Sequence, residues 1–147
     1  MKTKRIIGRV ELIDLPDLGI ESSKAKIDTG AYTSSIHCKK IKLKEDVLSF
    51  FLPIEQGGKT IIKEFQTRDF SQKHIKSSNG ESQKRYVIKT GVVFFNKRYL
   101  AEFSLSDRSR MKNPILIGRK LLKNRFLVDV SLKNVSFDHE SRQTQNP

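Results

Sequence analysis

At 147 residues the chain can bury one substantial core but is short for two, so a single domain is expected. Hydrophobic residues are 36% and charged residues 31%, which is polar for a globular protein yet not depleted enough in apolar side chains for wholesale disorder. Lys and Arg number 29 against 16 acidic residues, a net charge of +13 that attracts polyanions: nucleic acid, phospholipid or acidic peptide.

A single cysteine, Cys38, excludes an internal disulfide framework and fits a reducing compartment. No apolar run reaches the length of a signal peptide or a membrane span, so the expectation is a cytoplasmic chain with no membrane partner.

Arg5 to Ile13, rich in Ile and Val, predicts a strand, and Leu15-Pro16-Asp17-Leu18-Gly19 a turn. Ser23 to Ile27 alternates small or apolar residues with lysine, the pattern of a strand with one buried face, and it delivers Asp28 at its end. Tyr32 to Cys38 and Lys39 to Lys44 continue as strands. Val47 to Ile54 and Lys59 to Phe65 flank Glu55-Gln56-Gly57-Gly58 as a hairpin, and Lys73 to Lys76 and Gln83 to Lys89 flank Ser77-Ser78-Asn79-Gly80 as another. Gly91 to Asn96 and Arg98 to Leu105 form a third. Helical character is confined to Gly118 to Lys123; Phe126 to Val130 and Val135 to Phe137 read as closing strands. The fold class is all-β, with residues 1–137 as the domain and 138–147 as a polar tail.

Two stretches carry chemistry. Asp28-Thr29-Gly30-Ala31 places a carboxylate, a hydroxyl, a glycine and a small residue directly after a strand. There the carboxylate can serve as acid and base, the hydroxyl can brace the turn and the glycine lets backbones approach. Far downstream, Asn113-Pro114 leads into Ile115-Leu116-Ile117, a continuous apolar run that reads as a fully buried strand, followed by Gly118-Arg119 and a short helix.

Asp-Thr-Gly-Ala followed by Ile-Leu-Ile-Gly-Arg-x-Leu-Leu resembles the retropepsins. With Ser77 to Gly80, Arg85 to Ile88, Ser104 to Met111 and Leu127 to Ser131, the chain looks more closely like the bacterial RimK-associated family, which carries the label "ATP-dependent zinc protease" on a fold similar to retropepsin. The resemblance covers about residues 5 to 131. It implies a closed barrel with one short C-terminal helix, homodimeric, in which the Ile117-Gly118 strand threads beside the catalytic turn and Arg119 opens the helix.

Peptide hydrolysis by carboxylates needs two of them sharing one proton. The other aspartates stand in no comparable turn, so the second must come from Asp28 of another copy. Catalytic roles are therefore expected for Asp28, Thr29 and Gly30, with Thr29 bonding across the two-fold axis. Support is expected from Ile117, Gly118 and Arg119, the last through an ion pair. Substrate contacts are expected from Ala31, from a flap at Ser77, Ser78, Asn79 and Gly80, and from Lys84 and Arg85; Gln56-Gly57-Gly58 is the alternative flap. The family's association with glutamate-adding ligases suggests acidic, glutamate-rich peptides as substrate, and a ligase or ribosomal protein as partner.

Neither word of the label has a motif behind it. His37, His74 and His139 lie far apart without His-Glu-x-x-His, and no phosphate-binding Gly-x-x-x-x-Gly-Lys-Ser/Thr is present; no cofactor is expected. Two other classes stay open: a basic β-rich module binding RNA or a ribosomal surface, which would lack the usual interleaved aromatics, and a zinc-dependent hydrolase.

Overall fold

The computed structural model describes residues 3–76, 79–107 and 112–139. Twelve strands run in chain order: β1 (Arg5–Ile7), β2 (Val10–Leu15), β3 (Ile20–Ile27), β4 (Ser34–His37), β5 (Lys39–Lys44), β6 (Val47–Gln56), β7 (Lys59–Thr67), β8 (Ser71–Lys76), β9 (Ser82–Phe94), β10 (Lys97–Ser106), β11 (Ile115–Ile117) and β12 (Phe126–Val128). A 3-10 turn at Pro16–Leu18 ends on Gly19 in the left-handed region, and α1 (Arg119–Leu122) follows β11.

The largest sheet has the order β10-β4-β11-β3-β2-β9-β8, and β9 pairs with β10 as well, so the sheet curls back on itself. Between β2 and β9 the link is the single pair Asp14↔Val93. The barrel expected from the resemblance is thus a curled sheet with one thin seam. A parallel pair, β1 with β12, flanks it, and β5-β6-β7 form a separate three-stranded sheet. That sheet buries alternate residues of β6, namely Leu48, Phe50, Leu52 and Ile54, in the common core. At the other end Phe94, Phe95, Tyr99 and Phe126 pack ring on ring.

Three expectations need correction. Arg5 to Ile13 is not one strand but β1 and β2, broken at Gly8, where a Cβ would sit 2.5 Å from the Leu132 carbonyl oxygen. Gly91 does not start a new strand; β9 runs through it, because the Arg98 guanidinium covers the space a side chain would fill. Val135 to Phe137 is not a strand: residues 135–139 form a second helix, α2, so the described residues hold two short α-helices rather than one. Its cause is Glu11, fully buried on β2, whose carboxylate accepts the N–H groups of Val135 (3.2 Å) and Ser136 (2.9 Å) as well as that of Gly8 (2.7 Å). A carboxylate at the first turn satisfies orphan donors of a helix and not of a strand.

Candidate active site

The chain leaves β3 at Ile27, turns through residues 28–31 and returns as β4, and β11 inserts between those two strands. It runs parallel to β3 (Ile117↔Ile27) and antiparallel to β4 (Leu116↔Ser35). The buried run Ile115-Leu116-Ile117 therefore lies immediately behind the turn, and the Asp28 N–H donates to the Ile117 carbonyl at 2.9 Å.

Within the turn, the Gly30 N–H donates to Asp28 Oδ1 at 2.9 Å and the Ala31 N–H to the Asp28 carbonyl at 3.3 Å. The carboxylate is thereby aimed by its own turn, and it stays half-buried. A Cβ at position 30 would lie 3.2 Å from Asp28 Oδ1, so glycine keeps that contact open.

Gly118 is required by close approach and not by its φ: a Cβ there would meet the Tyr32 carbonyl oxygen at 2.6 Å and that of Ala31 at 2.9 Å. Its N–H donates to Ser34 Oγ at 3.0 Å. The first turn of α1 then stitches itself to the same loop, the Arg119 N–H to the Ala31 carbonyl at 2.8 Å and the Lys120 N–H to that of Tyr32 at 3.0 Å. Arg119, for which an ion pair was expected, donates through its guanidinium to the Thr29 carbonyl at 2.9 Å and lies over the Tyr32 ring at 5.8 Å. Asp28, Thr29, Gly30 and Ala31 are thus brought together with Ile117, Gly118 and Arg119 as one hydrogen-bonded unit.

Of the remaining expected residues, Asn79, Gly80, Lys84 and Arg85 belong to the β8–β9 hairpin. Ser77 and Ser78 lie outside the described residues. At the tip, Asn79 Oδ1 accepts the Glu81 N–H at 3.1 Å and Gly80 has φ +86°. Lys84 faces His74 across the ladder and Arg85 faces Lys73, so these neighbours point to opposite faces; Arg85 bonds Gln83 at 3.1 Å.

Sequence reasoning missed Ser34, the buried acceptor for Gly118, and Glu102 on β10, whose carboxylate is only 15% exposed and takes Lys73 and Lys120 together. Those lysines hold the Glu102 carboxyl below the usual carboxylate range, Lys73 contributing most. Ser34 had no distinctive signal, since it opens β4 beside a second serine in Ser-Ser-Ile-His. Glu102 had none.

Among the described residues no three His, Cys, Asp or Glu side chains stand together. His37 and Cys38 are buried, His37 Nδ1 lies 3.6 Å from Asp107 Oδ1, and burial pushes the Cys38 thiol up to about 12. That donor set does not fit the zinc of the family label.

The family model that matches residues 6–139, a span that contains both the Asp28 turn and the Gly118-Arg119 strand end, is described as RimB-like, retropepsin-like aspartic endopeptidase RimB. The chain belongs to that family. Relatives named probable alpha-L-glutamate ligase are 39% identical over 132 residues in Shewanella pealeana and 35% over 135 residues in Desulfotalea psychrophila. The alignments cover 87% and 88% of this chain, yet it spans only 29% of each of those proteins. A crystal structure of a Legionella pneumophila protein of unknown function shares the fold, with a TM-score of 0.71 at 24% identity over 91% of this chain and 99% of that one.

Proposed function

We propose that the RimB-like chain is an aspartic peptidase that works as a homodimer, with Asp28 of each copy forming one shared dyad and acidic peptides as substrate. The observation that carries this reading is the Asp28 turn itself. It is braced on every side by backbone bonds and Gly118, while the chain offers no second Asp-Thr-Gly.

In such a dyad like charges cannot both ionise at close range, so one carboxyl stays protonated. The ionised member takes a proton from water as its oxygen bonds to the peptide carbonyl carbon, and the protonated member gives its proton to the carbonyl oxygen. When the tetrahedral adduct collapses, the C–N bond breaks and the amine leaves with a proton from the dyad. Thr29, exposed at the turn, braces the pair across the axis.

The surface beside the turn supports a second copy as its occupant. A concavity of about 660 Å³ lined by Thr29, Tyr32, Leu122, Phe126, Leu127 and Val128 opens there. Leu127 is 54% exposed, its cross-strand partner Ile6 49% and Tyr32 55%. An apolar face continuous with half a catalytic site is what a two-fold contact would cover.

The acidic substrate is supported by the net charge of +13 and by Lys76 and Lys84, which share one face of the β8–β9 hairpin. The names of the ligase relatives, proteins that contain a region like this chain, point to glutamate chemistry and to a ligase as working partner. A reducing, cytoplasmic setting fits the lone buried Cys38; no helix among the described residues is long and apolar enough to cross a membrane.

The test is to purify wild type and Asp28→Asn, measure mass in solution, and offer both glutamate-rich and neutral peptides. Wild type should be dimeric and cleave the acidic peptide faster, and Asp28→Asn should lose nearly all activity. Equal activity would sink the mechanism. Salt-sensitive RNA binding that survives the substitution, without cleavage, would favour the RNA-binding reading instead.

A further inference from the structure

Glu102 lies on β10, directly opposite Lys89 of β9 in the antiparallel ladder. Its Oε2 accepts from the Nζ of Lys73 and, at 2.9 Å, from the Nζ of Lys120. The two lysines come from different parts of the fold. Lys73 belongs to β8, the outermost strand of the large sheet, whose ladder partner is β9. Lys120 is the second residue of α1, and its own N–H is bonded to Tyr32 of the catalytic loop. One carboxylate oxygen therefore joins the base of the β8–β9 arm to the helix stitched onto the Asp28 turn.

An exposed ion pair would contribute little, but this carboxylate is shielded between strand and helix. It also borders a cavity of about 240 Å³ that Lys89, Lys120 and Arg125 line as well. Taking its charge away would cost two charge-assisted bonds and would leave Lys73, Lys89, Lys120 and Arg125 to repel one another across the gap it bridged.

We propose that Glu102 is a positioning residue, a clasp that ties the β8–β9 arm to the support of the catalytic turn so that arm and turn keep one mutual placement. Its catalytic consequence rests on the peptidase reading above; the clasp itself does not.

The experiment compares backbone hydrogen exchange and peptide cleavage in the full wild-type chain, Glu102→Gln, Lys73→Met and Lys120→Met. Glutamine keeps the shape and removes the charge. In Glu102→Gln the amides of residues 71–76 and of Arg119 and Lys120 should exchange about five- to tenfold faster. Lys73→Met should release 71–76 alone, and Lys120→Met should release 119 and 120 alone. Cleavage of an acidic peptide by Glu102→Gln should fall about tenfold in kcat/KM, and the double variant Lys73→Met with Lys120→Met should lose no more than that, since both cuts remove one clasp.

Wild-type exchange at both segments in Glu102→Gln overturns the clasp, and so does an acceleration spread evenly over the sheet, which would mean plain loss of stability. Exchange that responds as expected in a protein that cleaves no peptide upholds the clasp and removes the peptidase reading.

Discussion

Two hairpins of this chain, β6–β7 and β8–β9, are built alike and anchored differently. β6 and β7 pair through nine residues and reverse at Gly57-Gly58, both with positive φ, a two-residue turn that matches the twist of its strands. One whole face of β6 is sunk in the core. β8 and β9 pair through six residues, and β8 buries no residue fully. The arm is held near its base by the edge-on contact of Phe70 with Tyr86 and by the Lys73–Glu102 bond. A hairpin fixed along one whole face by burial cannot bend without opening the core; one fixed near its base by a ring contact and a charge can bend beyond that anchor while the base stays placed. The difference favours β8–β9, and not the Gly57-Gly58 hairpin, as the flap.

The contrast can be broken most forcefully at Phe50. Phe50→Ala should destabilise the whole protein by about 3–5 kcal/mol, read by denaturant unfolding, whereas cutting the clasp at Glu102 should leave most of the global stability in place. If Phe50→Ala proves nearly neutral, the β6–β7 sheet is not part of the core. A smaller effect is expected at its tip: Gly58, at φ +79°, should tolerate alanine at a cost of about 1 kcal/mol in unfolding free energy, with cleavage unchanged; a loss of cleavage with the fold intact would make this hairpin the flap.

The smallest effect concerns acid. The Glu102 carboxyl titrates below its ordinary range because Lys73 and then Lys120 favour its charged form, so its contribution is fully present above the ordinary carboxylate range and is lost progressively as pH falls from that range through the lowered value. Exchange of 71–76, corrected for intrinsic rates, should be flat above the usual carboxylate range and rise steadily as pH falls below it. Exchange that ignores pH down to global acid unfolding would mean that the charge of Glu102 does not hold the arm.

Much of this was readable beforehand, and the exceptions share a cause. Gly57-Gly58 and Gly80 announce their turns because positive φ selects glycine. Asp28-Thr29-Gly30 and Ile117-Gly118-Arg119 are each local strings, although what joins them, the approach of Gly118 to the Ala31 and Tyr32 carbonyls, exists only in the fold. Val135 to Phe137 looked like a strand because Val and Phe favour sheets, and Glu11, 124 positions away from Val135, overruled them. Glu102 was invisible for the same reason. Its two lysines belong to β8 and α1, and no spacing within one strand or helix encodes a meeting of three elements.

The central claim, that each Asp28 is half of a site, is tested most directly by mixing chains. Wild type and Asp28→Asn are co-expressed in equal amounts, purified together and assayed on an acidic peptide. If the dyad is shared, only dimers with two intact chains cleave, and activity should fall to about one quarter of that of the same total of wild-type protein. A fall to only about one half would contradict it, because each chain would then carry a complete site of its own.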